Sequence, residues 1–188
     1  WGVGFPGWHI ECSAMSVKYL GQPFDIHTGG VDHIGTHHNN EIAQSEAATG
    51  KPLANFWLHS EFLNISGEKI AKSVGNTLSL DDLAKKKVSP LAYRFWLLMA
   101  HYRTPINFNW ETLSGTEKAL ERLREIFLKL PTENGKVNEN YQAKLMETMS
   151  DDLNTPRAVA SLQELFHDET LTPADKYVTI LEYDKILG

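Results

Sequence analysis

Apolar and polar positions change their rhythm along this chain, and the change divides it. Residues 24–27 alternate apolar with polar and end on Thr28-Gly29-Gly30, the pattern of a strand running into a glycine turn. Residues 37–48 are built of helix formers and stop at Gly50 and Pro52, which predicts a helix. Residues 56–65 alternate again with β-prone side chains, and Ser66-Gly67 reads as a turn before a second short run, so a hairpin or loop excursion is expected. Beyond residue 79 the period becomes helical. Ser79 is placed to cap a helix with Asp81 and Asp82 in its first turn, and Ser89-Pro90 opens another that runs to about residue 101. Between residues 111 and 130, Leu113, Leu120, Leu123, Phe127 and Leu130 recur at helical spacing and leave Glu and Lys on the opposite face. A polar loop at 132–138 precedes two amphipathic helices at 141–153 and 156–166, the second with Thr155 as cap and Pro156 at its first position. The expected organisation is mixed α/β to about residue 80 and α-helical after it, with the chemistry in the Gly-, His- and Trp-rich first part.

Composition narrows what such a chain can be. With 188 residues, 41% hydrophobic and 22% charged, it can bury one substantial core, or one core plus a small helical domain. No run approaches the roughly 18 apolar residues of a membrane span, and the amino end carries no secretory pattern, so a cytoplasmic protein with no membrane partner is expected. A net charge of −6 argues against a broad phosphate-binding surface, so no DNA partner is expected and any RNA contact is local. The first residue is Trp1 rather than Met, which reads as a chain cut from something longer. A single cysteine, Cys12, rules out an internal disulfide, while eight histidines leave metal or acid-base chemistry open.

Cys12 falls near the start of an expected helix, where the amino-terminal dipole favours thiolate. His37 and Glu41 stand four apart on the next helix and project from one face toward a common point. Cys, His and Glu are all zinc ligands. The same spacing also suits a buried apolar thiol beside a surface His-Glu contact, and nothing in it brings Cys12 to His37.

Three blocks, GWHIECSAM, FDIHTGGVDHIGTHHNNEIAQSEA and FWLHSEFLNISGEKIAKSVGN, resemble in order and separation consecutive blocks of the cysteinyl-tRNA synthetases, a family of class I aminoacyl-tRNA synthetases. HYR at 101–103 and DDLNTP at 151–156 are similar to later landmarks of that family. The resemblance implies an α/β fold, a partial Rossmann-type nucleotide-binding core followed by an α-helical bundle region. It implies residues 1–80 as the carboxyl-terminal half of the catalytic core, 81–110 as a stem-contact connection, and 111–188 as the start of a bundle of the anticodon-binding type.

By the same resemblance Cys12, His37 and Glu41 match three of four ligands to one Zn2+, the fourth being a cysteine upstream of Trp1, and the metal reads the substrate cysteine through its thiolate. Trp8 and His27 match residues of the amino-acid pocket. Gly29, Gly30 and Asp32 match the turn that carries adenosine, glycines admitting the base and the carboxylate accepting from ribose hydroxyls. Lys69, Lys72 and Ser73 match the KMSKS loop, whose two lysines offset charge on the leaving pyrophosphate of ATP, itself bound with Mg2+. Ile70 and Ala71 depart from that loop, and Asn39 replaces an acid of the family's histidine block. His33-Ile34-Gly35-Thr36 only superficially echoes the family's HIGH motif, which the resemblance places nearer the amino terminus. The implied parent enzyme activates cysteine with ATP and charges tRNA(Cys), and the isolated chain is expected to be inactive. A cysteine:amino-sugar ligase of the mycothiol type and a non-catalytic paralogue that binds nucleotide or tRNA are the alternatives.

Overall fold

The computed structural model describes residues 2–65, 68–69 and 78–188, with side chains at all of them except 68 and 69. The chain forms two compact units, Trp1–Phe62 with Tyr102–Pro105, and Leu63–His101 with Ile106–Gly188. This packing boundary lies upstream of the change of rhythm near residue 80, because the short strand after Phe62 pairs with residues beyond 105. No described helix is long and apolar enough to cross a membrane.

In the first unit, α1 (His9–Leu20) leads to β1 (Phe24–Gly30), α2 (Asn39–Thr49) and β2 (Ala54–Ser60). β1 and β2 are parallel, Phe24 opposite Ala54 and Gly30 opposite Ser60, so α2 is the crossover that parallel pairing requires. The strand continues through Thr28-Gly29-Gly30 where a glycine turn was expected, because pairing with β2 extends to Ser60. A 3-10 turn, Val31–His33, and a π-helical turn, Ile34–His38, fill the expected first turn of the helix, so α2 begins at Asn39. It ends at Gly50, whose left-handed φ of 71° and N–H bond to the Glu46 carbonyl close the last turn. The apolar core is small: Phe24, Leu53 and Ala54 are buried, with Val17 and Trp57 packed against them. Ile26 and Phe56, partners in register, are 60% and 70% exposed.

The second unit is built around helices. β3 (Leu63–Ile65) pairs antiparallel with β4 (Glu68–Lys69) and parallel with β5 (Ile106–Phe108). α3 (Leu80–Lys85) has Ser79 as cap in a reciprocal box with Asp82, and α4 (Pro90–Leu98) is capped by Ser89 with proline in its first turn. α5 (Trp110–Phe127) starts from Asn109, whose side chain accepts from the Glu111 and Thr112 amides. Leu83, Val88, Ala92, Phe108 and Leu113 form one core around β5. A larger one joins α5 to α6 (Glu139–Ser150), α7 (Thr155–His167) and α8 (Pro173–Leu187).

One further detail departs from expectation. Asn154, not Thr155, caps α7, accepting from the Arg157 amide. Asn154 follows Asp152 and Leu153, both in the left-handed region at φ 54°, a strained conformation for residues with a Cβ. His101 donates from Nε2 to the Asp152 carbonyl at 2.9 Å, so the HYR and DDLNTP segments meet. α8 lies in the stretch expected to be helical; it has no single apolar stripe yet buries Thr179, Ile180, Tyr183 and Leu187.

Tyr183 is fully buried; its hydroxyl donates to the Tyr141 carbonyl at 3.0 Å and lies 2.8 Å from the Ser161 hydroxyl. Tyr183→Phe removes a buried hydroxyl that contacts both the Tyr141 carbonyl and the Ser161 hydroxyl, and chemical denaturation is expected to show a loss of about 1–3 kcal/mol. The box of α3 predicts an acid limb. Hydrogen bonds from the Ser79 side chain, Lys85 and the Ser79 amide hold the Asp82 carboxyl down at about 2. Its contribution is complete above the ordinary value of 3.8 and is lost as pH falls through about 2. Asp82→Asn is expected to remove this dependence from an acid titration followed by the amide signals of α3.

Candidate functional site

The first unit places its chemistry at one end of β1, where α1 and the start of α2 meet it. Glu41 lies in the first turn of α2 and is 0% exposed. Residues three and four before it on a helical path share its face, and here they are His38 and His37, both buried. β1 adds His27. A single carboxylate oxygen, Glu41 Oε2, has His27 Nε2 at 2.9 Å, His37 Nε2 at 3.6 Å and His38 Nε2 at 3.8 Å. The other oxygen, Oε1, is buried without a hydrogen-bond partner among the described residues, as are His37 Nδ1 and His33 Nδ1. Orphaned buried polar atoms are rare and call for an explanation such as an ion or water.

α1 brings Cys12 to this point. Ser13, its neighbour, is buried and donates to the Glu41 carbonyl at 3.5 Å, tying α1 to α2. Cys12, His37 and Glu41 each offer one ligand atom within 4.8 Å of the others. The thiol differs from the sequence expectation: burial, then the carboxylates of Glu41 and Glu11, push its pKa up rather than down. Cys12 stands a full turn inside the helix with its amide bonded to the Trp8 carbonyl, where burial, and after it the two acids, set the direction. A cation among these donors would reverse that balance.

Trp8 precedes α1 and stays 61% exposed while its ring stands edge-on to His37 at 5.0 Å and to His33 at 6.3 Å. It thus offers an open aromatic wall beside the donor set. His27 packs between the rings of Phe24 and Trp57, at 5.4 and 4.7 Å, which fixes its orientation toward Glu41.

The glycines at the end of β1 are needed for a reason of packing. A Cβ on Gly29 would lie 2.6 Å from His38 Cε1 and 2.7 Å from His33 Nδ1, so the imidazoles occupy the place of a side chain. On Gly30 it would lie 2.5 Å from Asp32 Oδ1, so the Asp32 carboxylate folds back over the strand end. Asp32 also fixes the following turn, its carbonyl accepting from the Thr36 hydroxyl at 3.3 Å.

Lys69 lies in β4, opposite Asn64, with its side chain outside the description. Lys72 and Ser73 fall outside the described residues.

Two residues of the cluster were missed by spacing arguments. His38 Nδ1 and His59 Nε2, on α2's lead-in and on β2, lie 2.8 Å apart. Burial, reinforced by His27 and His59, pushes the His38 pKa down to about 4, and burial also lowers those of His37 and His59. His38 had a signal, standing three residues before Glu41; His59, on another strand, had none.

Residues 1–118 match a family model described as tRNA synthetases class I (C) catalytic domain. A relative named "Cysteine--tRNA ligase 1", from Burkholderia lata, is 48% identical over 189 residues, covering 100% of this chain and 40% of its own length. "Cysteine--tRNA ligase" of Legionella pneumophila is 50% identical over 170 residues, covering 89% of this chain and 37% of its own. The chain therefore spans about two-fifths of the length of these relatives. A crystal structure of an Agrobacterium radiobacter LeuRS–tRNA–LeuAMS complex superposes with TM-score 0.69 at 16% identity over 89% of this chain and 25% of that one. Methionyl-tRNA synthetase of Mycobacterium tuberculosis bound to methionyl-adenylate superposes at 0.53 and 17% identity over 86% and 39%. At these identities the superpositions establish the fold: a partial Rossmann-type core followed by helices.

Gly29→Ala tests the packing at the strand end. The added methyl must displace two imidazoles, and overpacking of this kind is expected to lower stability in denaturant by about 1–3 kcal/mol, with His38 and His33 ring signals shifted in NMR spectra.

Proposed function

We propose, from the premise that this chain belongs to the family of class I (C) tRNA synthetase catalytic domains, that it is the part of a cysteine--tRNA ligase that selects cysteine and carries the ATP-facing turn and lysine loop. The observation behind this reading is the meeting of a thiol, an imidazole and a buried carboxylate beside an open tryptophan, within a chain whose relatives bear that name.

The donor set fits Zn2+: Cys12, His37 and Glu41 supply soft, borderline and hard donors, and Glu41 Oε1 and His37 Nδ1 are buried without partners. When bound, the metal supplies a preference for the thiolate of cysteine over the harder hydroxyl of serine. Trp8 walls the pocket and excludes water from one side. His27, held by Phe24 and Trp57, orients Glu41 through their 2.9 Å contact. Gly29 and Gly30 keep the strand end flat for adenosine, and the Asp32 carboxylate accepts from the ribose hydroxyls. Lys69, Lys72 and Ser73 hold the phosphates of ATP, bound with Mg2+. The carboxylate of cysteine then attacks the α-phosphate, a P–O bond to it forms, and pyrophosphate leaves with its charge offset by the two lysines. The helical residues, 81–110 as stem contact and 111–188 as part of an anticodon-binding-type bundle, serve tRNA(Cys).

The test is cysteine-dependent exchange of pyrophosphate into ATP by the full-length protein, with serine as control and tRNA charging alongside. Cys12→Ser and Glu41→Gln are expected to lower exchange at least about 100-fold while bound zinc is lost in elemental analysis, since even outer partners of metal ligands cost tenfold to a hundredfold. Exchange that survives in a zinc-free variant would sink the metal assignment. Exchange without charging would sink tRNA as the acceptor.

A further inference from the structure

The chain leaves its first unit at Phe62 and returns to it for one short stretch. Of the residues from Leu63 to Gly188, only Tyr102–Pro105 belong to the first unit, and they bring an arginine with them. Their anchor is a backbone bond. The amide of Glu61, the residue that follows the last position of β2, donates to the Tyr102 carbonyl at 2.8 Å. Arg103 therefore stands at the carboxyl end of β2, exposed, with its guanidinium carbon 5.1 Å from the centre of the Tyr102 ring. We propose that Arg103 binds the phosphates of ATP, supplying from the first unit itself a cation for that ligand, an inference that rests on the reading of this chain as part of an ATP-dependent ligase.

The place favours phosphate. In open parallel sheets, ligands settle outside the carboxyl ends of the strands. β1 and β2 end together, with Gly29 opposite His59 and Gly30 opposite Ser60, so the strand end that holds Tyr102 adjoins the glycine pair assigned to adenosine. The charge of Arg103 is felt at that end: after burial, His27 and His33, it is among the causes that lower the His59 pKa.

The distribution of charge points the same way. The first unit has two lysines and one arginine. Lys18 lies in the last turn of α1, which leads into the start of β1, and Lys51 comes shortly before β2, so both belong to the amino-terminal end of the sheet. Arg103 alone stands at the carboxyl end. A triphosphate set down beside the Asp32 carboxylate needs compensating charge from that same end. The residue type suits the task, since the planar fork of a guanidinium meets two phosphate oxygens at once and keeps its charge throughout the working pH range.

Calorimetric binding of ATP and of adenosine to the full-length protein tests the assignment, because the two ligands share base and ribose and differ only in the phosphates. Arg103→Ala is expected to weaken ATP about tenfold to a hundredfold and to leave adenosine unchanged, with Arg103→Lys recovering part of the loss. In pyrophosphate exchange Arg103→Ala should raise KM for ATP and leave KM for cysteine as it was. Thr104→Ala, on the same anchored stretch, should change none of these. Circular dichroism checks that each variant is folded. An equal loss of ATP and adenosine in Arg103→Ala would give the arginine a structural role and overturn the proposal. Unchanged ATP binding with impaired tRNA charging would overturn it too, by moving the arginine to the tRNA, and so would an unaltered protein that binds ATP no better than adenosine. Absence of exchange in the unaltered protein refutes the ligase reading instead, and the contrast between ATP and adenosine still decides the role of Arg103.

Discussion

A carboxyl group taken wholly out of water must find partners there, and Glu41 has been taken out completely. The local structure of the first unit answers that demand. β1 supplies His27 from its middle, the π-helical turn before α2 supplies His37 and His38, and α1 approaches closely enough for Ser13 to reach the Glu41 carbonyl. Gly29 has to be glycine because the rings that surround Glu41 fill the space above it. One buried acid thus explains why two helices and a strand meet where they do, although so few apolar side chains are buried beside them.

The second unit follows ordinary rules. Its stability comes from stripes of leucine and phenylalanine, from caps at nearly every helix start, and from one buried hydroxyl network linking α6, α7 and α8 through Tyr183. Asp152 and Leu153 are consecutive residues in the left-handed region, and the hydrogen bond from His101 helps to hold that turn. The polar cluster around Glu41 and the larger apolar cores therefore lie in different units of the chain.

How far the sequence disclosed this depends on the range of each interaction. The Ser79 box and the α4 and α5 helices were legible because caps and apolar periodicity act within a few residues. α7 was legible too, but its cap moved back to Asn154 because the left-handed pair before it turns that side chain toward the first amides. α8 falls in the stretch expected to be helical but had no bounds in the sequence, since its apolar residues are spread around the helix. At the site, His37 and Glu41 were visible as a four-residue pair, whereas their meeting with Cys12 came only through a resemblance. His59 joins by strand pairing across 21 positions from His38, a distance no local pattern encodes.

The modest apolar core of the first unit has one more consequence. Phe24, Leu53 and Ala54 are its buried apolar residues, while Ile26 and Phe56, partners in register, are largely uncovered within this chain. Within these residues the polar cluster is what joins α1 to α2 beside that core. An ion bound by donors from both helices would act as a clasp, its binding energy adding directly to the folding of the segment that holds it. For this part of the chain, metal occupancy and the folded state would be two readings of one equilibrium.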